Sequence, residues 1–214
     1  MTVSRADTFD AAAFQKATGV SRETLGRLQA YHDLLLKWQL KINLVGPATI
    51  ADAWRRHFLD SAQLFALLPE GTQRLVDLGS GAGFPGLALA IFGAPDVHLI
   101  ESDARKCAFL REAARVAGVD VTVHNQRIEA VSGLHVDVVT ARALAPVAEL
   151  LRLGAPLLRP GGCFLLLKGR NVEPELTEAT KCWNMAVQRQ SSRSDDEGCV
   201  LRLSDVRPVE RGNN

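Results

Sequence analysis

Leu75-Val76-Asp77-Leu78-Gly79-Ser80-Gly81-Ala82-Gly83-Phe84-Pro85-Gly86 is the stretch that decides the fold. An apolar run ends in an acid, a glycine-rich turn follows, and Gly86-Leu87-Ala88-Leu89-Ala90-Ile91 reads as the opening of a helix. Leu99-Ile100-Glu101 comes one helix later and ends a second apolar run in another acid. Strand, glycine turn, helix and acid-ended strand are the parts of a nucleoside-binding half-fold. Glycines in such a turn allow positive φ and let a ligand approach the main chain. Glu101 lies 22 positions after Gly79, where a carboxylate accepts both hydroxyls of a ribose.

Which nucleoside is bound depends on Asp77. Gly81-Ala82-Gly83-Phe84-Pro85-Gly86 spells the dinucleotide pattern GxGxxG, so NAD or FAD has to be weighed. A carboxylate two residues before the first glycine would face a pyrophosphate with like charge, which is costly in a dry site. The same carboxylate suits the ammonium and sulfonium of S-adenosylmethionine. The turn begins at Gly79, and in that register the third glycine of the pattern falls on Phe84. The residues favour S-adenosylmethionine. A tight turn without a ligand would leave Glu101 without a purpose.

The chain has 214 residues, enough for one well-cored domain and an extension. A hydrophobic content of 47% and a charged fraction of 23% are ordinary for a globular protein. No uncharged apolar run reaches the roughly 18 residues of a membrane span. Met1-Thr2-Val3-Ser4-Arg5-Ala6-Asp7 lacks the apolar centre of a secretion signal. Cys107, Cys163, Cys182 and Cys199 have no CxxC spacing, which argues against zinc and against a disulfide framework. A cytoplasmic, reduced protein is expected. A net charge of +1 does not advertise a nucleic-acid binder, so attraction to RNA would have to come from a local patch.

Working outward, residues 1–70 read as a helical extension and 71–214 as an α/β core. Leu25, Leu28, Leu34, Leu35, Trp38 and Ile42 recur at helical spacing behind Ser21, a good N-cap. Gly46-Pro47 breaks that helix, and a second is expected from about Thr49 to Leu68. Strands are expected at Arg74–Leu78, Val97–Glu101, Asp120–His124, Val136–Ala141, Cys163–Lys168, Ala186–Gln190 and Cys199–Ser204. Helices fall between them at Gly86–Phe92, Ala104–Ala117, briefly near Ile128, at Val147–Leu157 and at Pro174–Trp183. Leu158-Arg159-Pro160-Gly161-Gly162 reads as a tight helix-to-strand turn. The polar stretch Ser191–Gly198 joins two strand-like runs as a closing hairpin. The result is a seven-stranded, mostly parallel sheet with its ligand at the carboxyl ends of the first strands. Arg207–Asn214 reads as a polar, disordered tail.

The core resembles a class I S-adenosylmethionine-dependent methyltransferase with a Rossmann-like sheet. More narrowly, the chain resembles the bacterial 16S rRNA guanine-N7 methyltransferases, the RsmG or GidB family. The likeness covers nearly the whole chain and rests on Asn43-Leu44, Arg56-His57-Phe58-Leu59-Asp60-Ser61, the segment Asp77 to Gly86, Glu101-Ser102, Ala141-Arg142-Ala143 and Leu167-Lys168-Gly169. It implies that Asp77, Gly79, Gly81 and Gly83, with Ser80 and Phe84 between them, hold the methionine end of the cofactor. Glu101 and Ser102 would take the ribose. Arg127-Ile128-Glu129 would bracket the adenine, although simple core packing explains Ile128 as well. The resemblance also implies a 16S rRNA or small-subunit substrate, a guanine in the decoding-region loop, and a protein expected to be monomeric.

His57, Asp60 and Ser61 share a helix face. His57 either bonds Asp60 or Ser61 as a structural border or acts beside cofactor and RNA, and Asn43 is open to the same two readings. Arg142 ends the fourth strand, where this fold meets its target. No Asn/Asp-Pro-Pro-aromatic clamp for an exocyclic amine stands there. No loop cysteine is placed for pyrimidine C5 chemistry, and Cys163 reads as buried and inert. Guanine N7 needs neither device, because its lone pair lies in the ring plane and carries no proton. Alignment then does the catalytic work. Arg142 is expected to orient base or phosphate, or else to form an ion pair with Asp77 or Glu101. Arg142, Lys168 and His57 are the catalytic candidates, and Arg142 is also a cofactor-binding candidate. Arg56, Arg105, Lys106, Arg127, Lys168 and Arg170, with Asn43 and perimeter Arg55, are the RNA-facing candidates. Three rivals remain: a methyltransferase of protein or small molecules, a non-catalytic RNA-binding ribosome-assembly factor, and an NAD-linked oxidoreductase.

Overall fold

The computed structural model describes residues 9–210. The stretch Met1–Asp7, read for a secretion signal, and positions 211–214 of the expected tail lie outside the described residues. Ser21 caps α2 (Arg22–Gln39), its Oγ accepting from Thr24 N at 3.0 Å. A shorter α1 (Ala11–Thr18), capped by Asp10, precedes it. The expected helix Thr49–Leu68 is three helices of different pitch in succession: a 3-10 segment Pro47–Asp52, a π segment Trp54–Leu59 and α3 (Asp60–Phe65).

β1 (Leu75–Leu78) begins the α/β alternation, followed by α4 (Gly86–Phe92), β2 (Val97–Glu101), α5 (Ala104–Ala117) and β3 (Thr122–Asn125). β4 (Val136–Arg142), α6 (Val147–Gly154), β5 (Leu158–Lys168), α7 (Val172–Ala179), β6 (Trp183–Ser191) and β7 (Cys199–Pro208) complete it. The sheet order is β3-β2-β1-β4-β5-β7-β6, with β7 antiparallel to both its neighbours. The α/β class, the seven strands and the closing hairpin agree with the sequence.

Three expectations need correction. Leu158–Gly162 is not a free turn but the bulged start of β5, where pairing jumps from Val136↔Leu158 to Val138↔Cys163. α7 stops at Ala179, and Trp183 already belongs to β6, because Trp183 pairs with Pro208 across the hairpin. Arg207 and Pro208 are ladder residues of β7 rather than tail.

Two apolar layers enclose the sheet. On one face Leu75, Leu99 and Leu165 pack with α4, α5 and the N-terminal helices, through Phe14, Leu28, Tyr31, Leu35 and Phe58, all fully buried. On the other, Val76, Leu78, Ile100, Val139 and Leu166 pack with Leu150 and Leu151 of α6. Strand residues buried on both faces explain the near-continuous apolar runs of β1, β2 and β4. The N-terminal helices thus share one core layer with the sheet and carry Arg56 and His57 to its carboxyl end.

Candidate functional site

Two cavities open at the carboxyl ends of the parallel strands and share a wall. The smaller, about 460 Å³, runs from Gly79 and Gly81 past Glu101 and Ser102 to Arg127, Ile128 and Glu129. The larger, about 660 Å³, lies between the glycine loop, the π segment and the β6–β7 hairpin. Gly79, Gly81, Arg142 and Ala143 line both. Arg142 ends β4, and Ala143 beside it has φ +50, an uncommon value for a residue with a side chain.

The smaller cavity has a bare floor and an acidic end. Gly79 and Gly81 have φ +63 and +54, and a Cβ at Gly79 would meet Leu144 Cδ1 at 2.7 Å. Glu101 is 9% exposed, and its carboxylate accepts from Gly81 N at 2.9 Å and Asp103 N at 2.8 Å. One N–H on each oxygen leaves lone pairs for further donors. Ile128 is half-buried, lining the cavity while packing on the second core layer.

Asp77 is placed otherwise than expected. It is fully buried beneath the loop and lines neither cavity. Its Oδ1 accepts from Thr140 Oγ1 at 2.8 Å, while Oδ2 has no hydrogen-bonded partner among the described residues. That oxygen faces the start of α4, where a Cβ on Gly86 would come within 2.9 Å of it. Burial pushes the carboxyl up to about 6. Ser80 Oγ bonds the Asp77 carbonyl at 3.0 Å, and Gly83 is walled in by Tyr31 and Leu87. Asp77 and Gly83 brace the loop, and neither lines the two cavities.

The larger cavity is organised around Arg142. Its guanidinium donates to the Arg56 carbonyl at 3.1 Å and to His57 Nδ1, and lies 5.4 Å above the Phe84 ring centroid. Phe84, 3% exposed, stacks between Tyr31 and His57, with centroids 5.1 Å away on each side. Among the described residues no ion pair joins Arg142 to a carboxylate, so the expected alternatives Asp77 and Glu101 are not its partners. His57 Nε2 lies 2.9 Å from Thr49 Oγ1, which bonds the Gly46 carbonyl at 2.8 Å. Since arginine only donates, Nδ1 accepts and Nε2 carries the proton. Burial, reinforced by the Arg142 charge, lowers the His57 pKa to about 3.

The structural reading of His57 as a partner of Asp60 is not realised. Ser61 Oγ bonds the His57 backbone carbonyl at 2.8 Å, and the ring turns to Arg142. Asp60 turns the other way, accepting from Gln63 Nε2 and Ser194 Oγ, both at 2.7 Å, and so fastens the β6–β7 hairpin to α3. Nothing in the sequence pairs residue 60 with residue 194, and this clamp was invisible there.

The remaining cations scatter more than the sequence suggests. Arg56, Lys168 and Arg170 line the larger cavity, but each has a carboxylate: Asp195 at 2.7 Å, Glu175 at 2.5 Å and Glu197 at 2.8 Å. Lys168 also donates to the Ala145 carbonyl at 3.0 Å, tying β5 to the loop after β4. Lys106 and Arg127 line the smaller cavity instead. Arg105 points to solvent beside Asp103, Arg55 lies over Phe9 and near Asp52, and Asn43 is exposed; none of the three lines either cavity. Cys163 is buried in β5, as expected. No helix among the described residues is long and apolar enough to cross a membrane.

Comparison with known proteins agrees with this architecture. The model of the family described as rRNA small subunit methyltransferase G matches residues 24–197. A protein of Rhodospirillum centenum named ribosomal RNA small subunit methyltransferase G is 60% identical over 203 residues, 95% of this chain and 94% of its own length. One of the same name from Paramagnetospirillum magneticum is 62% identical, over 88% of this chain and 92% of its own. Among solved structures, a putative O-methyltransferase from Klebsiella pneumoniae matches with a TM-score of 0.56 at 15% identity, covering 91% of this chain and 95% of its own. A ribosomal protein L11 methylase from Lactobacillus delbrueckii gives 0.56 at 17% identity, over 67% and 75%. These two likenesses concern the fold alone.

Proposed function

We infer that this chain, which belongs to the rRNA small subunit methyltransferase G family, transfers a methyl group from S-adenosylmethionine to N7 of a guanine in 16S rRNA. One observation carries the reading: Arg142, fixed by His57, the Arg56 carbonyl and Phe84, stands on the wall between a nucleoside-shaped cavity and a larger cleft. When bound, S-adenosylmethionine supplies an electrophilic methyl carbon on a sulfonium.

The residues of the smaller cavity fit that cofactor. Glu101 keeps free lone pairs for ribose hydroxyls, Ile128 offers an apolar face to adenine, and the bare Gly79–Gly81 backbone admits a close ligand. Asp77 contributes through the loop it supports, as a buried negative charge below a cationic ligand. Ser102 and Glu129 complete the rim of this cavity.

In the larger cleft Arg142 donates to guanine O6, the hydrogen-bond acceptor beside N7, and holds the base in plane. N7 carries no proton, so no base is required. His57 is accordingly neutral and already engaged, which makes it a positioning residue for Arg142. Lys168 holds the loop that follows Arg142 and does not act on the base itself. The helical residues 9–70 serve as the extension that builds the RNA-facing wall. We place the enzyme in the cytoplasm, acting as a monomer on the decoding-region loop.

The test is transfer of labelled methyl to small subunits, naked 16S rRNA and bulk protein, using RNA from cells lacking the enzyme. Label in 16S rRNA that directs chain scission at a reduced 7-methylguanine is the expected result. Label in protein, or none despite tight cofactor binding, would overturn the substrate assignment while keeping the fold.

A further inference from the structure

The β6–β7 hairpin puts acids where an RNA-binding cleft would be expected to present bare cations. Asp195 Oδ2 lies 2.7 Å from Arg56 Nη1, and Glu197 Oε2 lies 2.8 Å from Arg170 Nη2. All four residues line the larger cavity. The base of this connection is pinned: Ser194 to Asp60, and Arg193 N to Gln63 Oε1 at 3.1 Å. Beyond the pin the tip closes on itself, Gly198 N bonding the Asp195 carbonyl at 2.9 Å and Glu197 N bonding Asp195 Oδ1 at 3.1 Å. Among the described residues, Asp195 and Glu197 reach across the cleft through these two ion pairs. The Arg170–Glu197 pair is 74% and 58% exposed, so water can replace either partner at little cost.

We propose that the tip is an internal stand-in for RNA backbone: Asp195 and Glu197 occupy the phosphate-binding faces of Arg56 and Arg170, and RNA phosphates displace them. This deepens the function proposed above and rests on it, naming how the RNA cleft is kept closed to weak polyanions. A guanidinium offers the same planar fork to a carboxylate and to a phosphate. A single anion gains little by the exchange. A strand that supplies two phosphates while its base is held at Arg142 makes the exchange in one event. Because the acids compete with every RNA, they lower affinity generally and favour release of product.

The experiment compares wild type with Asp195→Asn/Glu197→Gln, measuring affinity for a 16S fragment and for an unrelated structured RNA across a salt series. Both RNAs should bind the variant about three- to tenfold more tightly, as expected for one exposed and one half-buried pair removed, with a steeper salt dependence. Affinity for S-adenosylmethionine should not change, since neither acid lines the smaller cavity. Adding Arg56→Gln and Arg170→Gln should cancel the gain. Unchanged or weaker RNA binding, or a gain that survives loss of the arginines, would overturn the proposal. Should the double variant melt early, Glu197→Gln alone, on the exposed pair, must still tighten binding. Failure of the underlying function is separate and would show as wild-type enzyme that leaves 16S rRNA unmethylated.

Discussion

His57 Nδ1 accepts from the Arg142 guanidinium, and arginine does not lose its proton near neutral pH, so the imidazole is held in one tautomer, its single N–H on Nε2 and donated to Thr49 Oγ1. With its pKa at about 3, the ring does not titrate where the enzyme works. Methyl transfer should therefore show no inflection between pH 5 and 9 that His57→Gln abolishes; a rate profile with such an inflection would assign the ring proton chemistry. Arg142→Lys keeps the charge but cannot serve His57, the Arg56 carbonyl and a base edge at once. Its kcat on small subunits should fall on the order of 10- to 100-fold through lost orientation, with S-adenosylmethionine affinity within about threefold of wild type. Asp77 behaves differently. Its folded pKa of about 6 lies above the unfolded value, so between those limits the folded state holds the extra proton. Stability from this group is present at low pH and is lost as pH rises through 6. Asp77→Asn should be worth up to about 3 kcal/mol at pH 7.5 and almost nothing at pH 4, as chemical denaturation at the two pH values would show. Equal gains at both would mean that Asp77 is not held near 6.

At the scale of elements, the π segment Trp54–Leu59 is the unusual piece. Its wider turn presents the Arg56 carbonyl and the His57 ring toward β4, while the Arg56 side chain and Asp60 face the hairpin. Such turns recur at functional sites because they re-aim side chains without breaking the helix. Thr49, in the preceding 3-10 segment, closes the arrangement as acceptor for His57. Thr49→Val is nearly isosteric and leaves a buried N–H unmet, which costs about 1–3 kcal/mol. The melting temperature should drop, and methyl transfer should drop with it because the ring is freed to leave Arg142. A stability loss with full activity would detach the ring from catalysis. Elements were legible in the sequence where one physical signal dominated. β1, β2 and α5 are bounded by apolar runs, acids and glycines, and their limits were read to within a residue. The π pitch has no local signature, because residues 47–65 are helical at every position and only tertiary contact decides the spacing. The same holds for the site: Glu101 and Arg142 announce themselves by position at strand ends, whereas the Asp60–Ser194 clamp and the Asp195 and Glu197 pairs join residues more than a hundred positions apart, or across a strand, and leave no trace in spacing.

For the molecule as a whole, the decisive feature is that the N-terminal helices and the cofactor loop are packed as one body. Tyr31 of α2 is fully buried, donates its hydroxyl to the Ala82 carbonyl, and lies against Phe84, Phe58 and Phe109. A change in α2 is thereby felt at the glycine loop, and one core layer runs unbroken across residue 70. Leu28 and Leu35 sit in the same layer as Leu87 and Leu110. Removing buried methyl groups there leaves a cavity that neither part can fill alone. Leu35→Ala should cost about 2–5 kcal/mol and lower the melting temperature, with far-UV circular dichroism and tryptophan fluorescence still falling in a single coincident transition. S-adenosylmethionine at 100 times its Kd should return about 2.7 kcal/mol to both wild type and variant. Two separated transitions, with the ligand moving only the second, would show instead that the helices fold as an independent unit and reach the loop merely by contact.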